Sequence, residues 1–314
     1  MLQQTRVDTV VPYFRRFLKE FPSLRALAAA ELDQVLHLWS GLGYYARARN
    51  LHRAARIVRD EHGGRFPRDL KAAMQLPGIG RSTAGAILSQ AFDQRHAILD
   101  GNVKRLLCRL HAIDQWPGGA AVQSRLWRLA DDYLPCERNA DYTQAIMDFG
   151  ALQCRRTRPR CGECPFAGEC LALLQGRTDE LPVPRRYRAL PLRPVVLLLI
   201  VDASGRVLLE RRPPAGIWGG LWSPPECEEG VDPVLWCREK LGLQVEVGDS
   251  IAPFIHTFTH FRLRIRPQVV YLQGEESVAR VMEARSLLWY NRERPEPCGV
   301  AAPVRRLLEQ LWKT

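Results

Sequence analysis

Four cysteines fall within one short stretch, Cys154, Cys161, Cys164 and Cys170, with six, two and five residues between them. Four thiolates this close can wrap one tetrahedral site, either a four-iron cluster or a zinc ion. Zinc sites more often pair two Cys-x-x-Cys units, and this stretch holds one, Cys161 to Cys164. In a reducing compartment the spacing points to metal rather than to disulfides. The other five cysteines, Cys108, Cys136, Cys227, Cys237 and Cys298, are scattered and predict packed thiols. Between the first two clustered cysteines lie Arg155, Arg156, Arg158 and Arg160. A metal-pinned loop so charged suits phosphate, because each cation displaces a counterion condensed on a nucleic-acid backbone. A solvated charged loop is the alternative.

The rest of the chain predicts two domains. Its 314 residues exceed the usual size of one core, and 46% hydrophobic with 25% charged residues is ordinary for a folded protein. A formal charge of +11 fits a phosphate-bearing partner, although charge alone does not separate nucleic acid from an anionic membrane. The longest apolar run, Val195 to Val201, is seven residues, too short for a bilayer and suited to a buried strand. The first residues lack a basic segment followed by an apolar one, which predicts no secretory signal and a cytoplasmic location.

Helical periodicity runs through Val10–Phe21, Leu32–Trp39, Ala46–His62, Arg68–Gln75, Arg81–Phe92, Val103–Ala112, Ala121–Tyr133 and Tyr142–Leu152, and Ser23 is a candidate cap. A basic, proline-rich stretch over 176–194 then reads as a linker. Beyond it, strand patterns at Val195–Asp202, Arg206–Glu210, Gln244–Val247, Phe261–Ile265 and Gln268–Leu272 alternate with helical ones at Pro233–Leu241 and Pro303–Trp312. The expected architecture is an all-α domain over 1–175, with the cysteine loop at 154–170, the linker, and an α+β domain over 195–314.

In Leu76-Pro77-Gly78-Ile79-Gly80-Arg81-Ser82 the glycines permit a tight turn, and the next helix starts with free amides able to hold a phosphate oxygen. Alone, such glycines describe an ordinary helix connection. Placed before the cysteine loop, they resemble the helix-hairpin-helix of the DNA glycosylase superfamily, and the cysteine spacing is similar to the iron–sulphur loop of the endonuclease III and adenine glycosylase families. The resemblance implies one [4Fe-4S] cluster on the four cysteines, a monovalent cation at the hairpin, and DNA contacts from Gly78, Gly80, Arg155, Arg156, Arg158 and Arg160. Asp100, in Leu99-Asp100-Gly101-Asn102, reads as a helix cap. The matching aspartate of the superfamily also faces the sugar of an extruded nucleotide, where its charge stabilises an oxocarbenium-like transition state. Asn102 is carried over to the same site.

Ser82 stands where bifunctional members of the superfamily carry the lysine that forms a Schiff base, which implies a monofunctional enzyme. The run Gly41-Leu42-Gly43-Tyr44-Tyr45-Ala46-Arg47-Ala48-Arg49-Asn50 agrees with the adenine glycosylase pattern, in which the residues matching Gln3 and Tyr44 wedge into the duplex. Hydrolysis also needs a proton donor for the leaving base. In the family this is a glutamate just before the Met-Leu-Gln-Gln-Thr motif, which here begins at Met1, and Glu20 and Glu31 lie on ordinary helix faces. The expectation is an in-frame glutamate two codons upstream of a start placed at an internal methionine; the alternative is a form that binds lesions without excising adenine.

In the second half, Gly220, Glu226 and Arg238-Glu239 begin like a Nudix box, but Lys240-Leu241-Gly242-Leu243 replaces the paired glutamates that would hold Mg²⁺. Pro213 to Trp222 and His256-Thr257-Phe258-Thr259-His260-Phe261 resemble the 8-oxoguanine-reading domain of adenine glycosylases, which implies lesion contacts from Phe258, Thr259 and His260. The implied partner is double-stranded DNA with adenine opposite 8-oxoguanine or guanine, met by a monomer away from membranes and, in a bacterium, at the nucleoid. An endonuclease III-like glycosylase-lyase is the more distant alternative.

Overall fold

The computed structural model describes residues 1–3, 5–185, 189–274, 286–293 and 296–313. Its contacts divide the chain into two compact units, one of Met1–Arg59 with Ala189–Thr314 and one of Asp60–Arg188. The later division falls within the predicted linker, of which positions 186–188 lie outside the described residues. Among the described residues no helix is long and apolar enough to cross a membrane.

The first unit opens with four helices, α1 (Val7–Glu20), α2 (Leu24–Ala29), α3 (Leu32–Trp39) and α4 (Ala46–Glu61). The Ser23 hydroxyl caps α2 by accepting from the Ala26 amide at 3.1 Å. α1 buries Val10 and Phe17, while Phe14 and Leu18 stay largely exposed. The turn before α4 needs its glycine: Gly41 has φ +103°, and a Cβ there would run into the Tyr13 hydroxyl.

These helices share one core with a mixed sheet built from the other end of the chain. Its strands are β1 (Leu192–Val201), β2 (Val207–Arg211), β3 (Trp222–Ser223), β4 (Glu226–Cys227), β5 (Val245–Ser250), β6 (Phe254–Thr257), β7 (Arg262–Leu272) and β8 (Leu287–Tyr290). The order is β3-β2-β1-β7-β5, with β4 on β1, β6 on β7 and β8 on β2. β1 and β7 run parallel through ten pairs, from Leu192 opposite Arg262 to Val201 opposite Tyr271. Leu197 and Leu199 face the core shared with Phe17, Val35, Leu36 and Trp39, whereas Leu198 and Ile200 pack on the opposite face with Cys237, Val270 and Trp289. Burial from both sides is why Val195–Val201 is continuously apolar. α11 (Pro233–Trp236), extended by a π-helical turn over Cys237–Leu241, and α12 (Ala302–Leu311) complete the unit.

The sequence pattern divides β7 at Pro267, yet the strand is continuous. Pro267 falls between the last β6 pair, at Ile265, and the first β5 pair, at Gln268, so on that side no ladder bond is asked of its missing donor. Strands β3, β4, β6 and β8, of two to four residues, escape the periodicity, which needs more positions to show itself.

The second unit is helical: α5 (Leu70–Gln75), α6 (Arg81–Phe92), α7 (Gly101–Leu110), α8 (Ala120–Asp132), α9 (Asn139–Asp148), which runs into a π-helical turn over Phe149–Gln153, and α10 (Leu171–Leu174). Leu99, Val103, Leu107, Cys108 and Leu126 form its centre. The chain is thus helical followed by α+β, as its pattern of periodicities predicts.

Three histidines carry a pH signature. Burial above all pushes the imidazoles of His52, His111 and His256 below their ordinary range, and His52 also bonds the Ala30 carbonyl at 3.0 Å through Nε2. The unfolded chain therefore binds more protons than the folded one at mildly acid pH, so stability is full above the unfolded pKa of about 6.5 and declines as pH falls below it. Urea midpoints measured between about pH 7 and pH 5 are expected to fall, and a His52→Gln/His256→Gln variant to flatten the decline.

Candidate functional site

The helix-hairpin-helix turn forms in the second unit. Gly78 has φ +79°, which glycine alone adopts freely, and Gly80 precedes the first residue of α6 in extended conformation. From α6, the Ser82 hydroxyl accepts from the Leu99 amide at 2.9 Å and ties the hairpin to the segment entering α7. The next residue, Asp100, caps α7 by accepting from the amides of Asn102 at 3.0 Å and Val103 at 2.8 Å. Both bonds use Oδ1, which leaves Oδ2 for another partner.

Two arginines of α7, unremarked by the sequence reading, connect this carboxylate to the cysteine loop. Arg105 donates to the Asn102 side chain at 3.0 Å, to the Cys154 carbonyl at 2.8 Å and to the Gly150 carbonyl. Gly150 is required here, since a Cβ would come within 2.7 Å of the Asn102 Cβ. One turn on, Arg109 is 2% exposed and donates to the carbonyls of Leu181, Arg155 and Arg156 at 2.9, 2.7 and 3.1 Å and to the Cys154 sulphur at 3.4 Å. The one signal available in sequence was the i, i+4 spacing of Arg105 and Arg109 on a helix started by Asp100.

Cys154, Cys161, Cys164 and Cys170 line one small cavity with Leu106, Arg109 and Phe149 among its walls. Burial, then the other three cysteines, pushes the Cys161 thiol up. Among the described residues no three His, Cys, Asp or Glu side chains converge as a metal-ion group. Of the four loop arginines, Arg156, Arg158 and Arg160 are exposed; Arg155 turns inward and donates to the Arg158 carbonyl at 3.1 Å.

In the first unit a groove of about 620 Å³ brings together Tyr44 and Arg49 from the α4 entry with Trp218, Phe258, Thr259 and His260. Tyr44 has φ +50°, a strained value for a bulky residue, and is 48% exposed, with the Arg47 guanidinium 5.4 Å from its ring. Arg47 also bonds the carbonyls of Met1 and Gln3, which anchors the Gln3 backbone beside the same turn. Phe258 stacks on Phe261 at 4.5 Å and meets His256 edge-on at 4.7 Å; Thr259 Oγ1 lies 3.3 Å from His260 Nδ1. His256 and Trp218, which brace Phe258, are further residues that sequence reasoning passed over. Glu226 is drawn into an ion pair with Arg212 at 2.8 Å.

Residues 1–131 match the HhH-GPD superfamily of base excision DNA repair proteins, and 196–310 match the NUDIX domain family. Hairpin, capped aspartate and appended sheet thus define a helix-hairpin-helix base-excision repair protein with a Nudix-like domain. The adenine DNA glycosylase of Buchnera aphidicola subsp. Acyrthosiphon pisum (strain APS) is 34% identical over 313 residues, which cover 100% of this chain and 88% of that protein. That of Rattus norvegicus is 35% identical over 344 aligned positions, covering 92% of this chain and 66% of the rat protein. A solved thermostable thymine-DNA glycosylase superposes with a TM-score of 0.49 and 26% identity over 55% of this chain and 80% of its own. The chain belongs to the adenine DNA glycosylase family.

Proposed function

We propose that the protein recognises adenine opposite 8-oxoguanine, or opposite guanine, in double-stranded DNA and hydrolyses the N-glycosidic bond of the extruded adenine. The observation that carries this reading is the groove shared by Tyr44 and Phe258-Thr259-His260, where a wedge and a reader of the opposite base are presented side by side. The functional division we infer is 1–175 for the base to be removed, 176–194 as linker and 195–314 for the opposite base, supported by the family matches over 1–131 and 196–310.

Asp100 holds its charge toward the sugar through Oδ2 while Oδ1 keeps the helix start in place. Asn102, fixed by Arg105, orients the neighbouring polar contact. Ser82 has no amine, so a hydrolytic water rather than a Schiff base resolves the sugar cation. The hairpin amides and the exposed Arg156, Arg158 and Arg160 bind phosphates of the duplex. The four cysteines hold a [4Fe-4S] cluster, which when bound pins the arginine loop. Glu31 is exposed at the start of α3, where its amide donates to the Gln34 side chain at 3.2 Å, and Glu20 is exposed at the end of α1, so neither is placed as a general acid.

Single-turnover release of adenine from duplexes containing adenine opposite 8-oxoguanine tests the reading. Release that requires the mismatch is expected; a borohydride-trapped covalent adduct, or equal binding to adenine:thymine duplexes, would overturn the assignment. Thr259→Ala/His260→Ala is expected to reduce the binding preference for 8-oxoguanine over guanine about tenfold or more, since a lost base contact is worth about 1–3 kcal/mol. An unchanged preference would remove this loop from lesion reading.

A further inference from the structure

The hairpin carrying Phe258, Thr259 and His260 runs on into β7, and the first three outward positions of that strand are all arginine. Arg262, Arg264 and Arg266 are exposed and alternate with buried Leu263, Ile265 and Pro267. The strand period of two therefore sets three guanidinium groups on one face of the sheet, each about 6.8 Å from the next along the strand. One carboxylate serves them: Glu229 accepts from Arg264 at 3.0 Å and lies 3.8 Å from Arg266. Among the described residues Arg262 has no carboxylate partner. By register their flanking neighbours are uncharged, Leu192 and Pro194 on β1 and Ile255 and Thr257 on β6. Three like charges at this spacing oppose folding, and one glutamate offsets only part of that.

We propose that this stripe is a track for consecutive phosphates of one DNA strand flanking the base read by Phe258–His260, an assignment that rests on the reading of that loop given above. Charge complementarity supports it: three arginines and one glutamate leave a net positive face, repeated at intervals close to the step between neighbouring phosphates of one strand. Continuity supports it as well. Thr257 pairs with Arg262 at the base of the hairpin whose tip lines the groove, so a strand leaving the groove along β7 meets Arg262 first, then Arg264 and Arg266. Glu229, by clasping Arg264 and Arg266, holds two guanidinium groups upright and competes with phosphate for them.

The test measures Kd of the full chain for a duplex with adenine opposite 8-oxoguanine, extended beyond a helical turn on both sides, as a function of potassium chloride. Arg262→Gln/Arg264→Gln/Arg266→Gln is expected to reduce the slope of log Kd against log salt by about 2 and to weaken binding at least about tenfold at roughly 0.1 M salt. The charge-preserving Arg262→Lys/Arg264→Lys/Arg266→Lys is expected to keep the slope, and Glu229→Gln to tighten binding about threefold. An unchanged slope in the glutamine variant overturns the track. So does equal loss in the lysine variant, or weaker binding by Glu229→Gln, because either would assign the stripe to folding through the Glu229 clasp. Failure of the underlying reading looks different: the unaltered chain would then bind adenine:8-oxoguanine and adenine:thymine duplexes alike, whatever its salt slope.

Discussion

Asp100→Asn is expected to lower single-turnover adenine release by about 10²–10³-fold, with little change in melting temperature. The two effects separate because the side chain has two duties on two oxygens. Its cap duty, through Oδ1 to the amides of Asn102 and Val103, survives in asparagine, which caps helices about as well as aspartate. Its charge does not survive. Asp100→Ala removes both and should add a stability loss of about 1 kcal/mol, read as a lower urea midpoint. A release rate for Asp100→Asn within a few-fold of the unaltered protein would reduce this residue to a helix cap.

The second large effect belongs to Arg109. Its side chain is buried and serves three carbonyls and a cysteine sulphur, all in or beside the cysteine loop. Arg109→Ala leaves those carbonyls without donors and opens a hole, a combined loss of about 3–5 kcal/mol. The expected observations are a marked drop in thermal midpoint and purified protein with little iron. Arg109→Lys keeps the charge but cannot reach four acceptors at once, so it should fall between the two. By contrast, alanine at exposed Arg156 should leave stability within about 0.5 kcal/mol and act on DNA affinity alone. Iron retained at full stoichiometry in Arg109→Ala would separate the arginine from the proposed cluster.

How much of this was readable beforehand depended on the length of each signal. α6 runs over Arg81–Phe92 as its periodicity predicts, and the caps at Ser23 and Asp100 form because a short polar side chain before a helix has few other uses. The cysteine spacing located the loop, yet not Arg105 and Arg109, which look like any basic helix until the loop folds back on them. The groove was legible as two separate motifs, but their meeting was not. It depends on Arg49, which donates to the Gly219 carbonyl at 2.5 Å, and on Tyr45, which donates to the Val300 carbonyl at 3.3 Å, contacts between residues far apart in sequence. Nor does periodicity reveal that α1 to α3 belong with the sheet: an apolar face announces that it will be buried, not what will bury it.

That last arrangement has a consequence for biosynthesis. Helices α1 to α3 have core partners, Leu197, Leu199, Ile265 and Val304, that are synthesised well over a hundred residues later. They cannot complete their packing until most of the polypeptide has emerged, whereas the segment between, Asp60–Arg188, holds its own contacts and can fold earlier. Asp60–Arg188 should therefore mature while α1 to α3 still wait for the sheet. A ribosome stalled before β7 would display a protease-resistant Asp60–Arg188 segment and sensitive α1 to α3, and the later synthesis of β7 and α12 would close the remaining core.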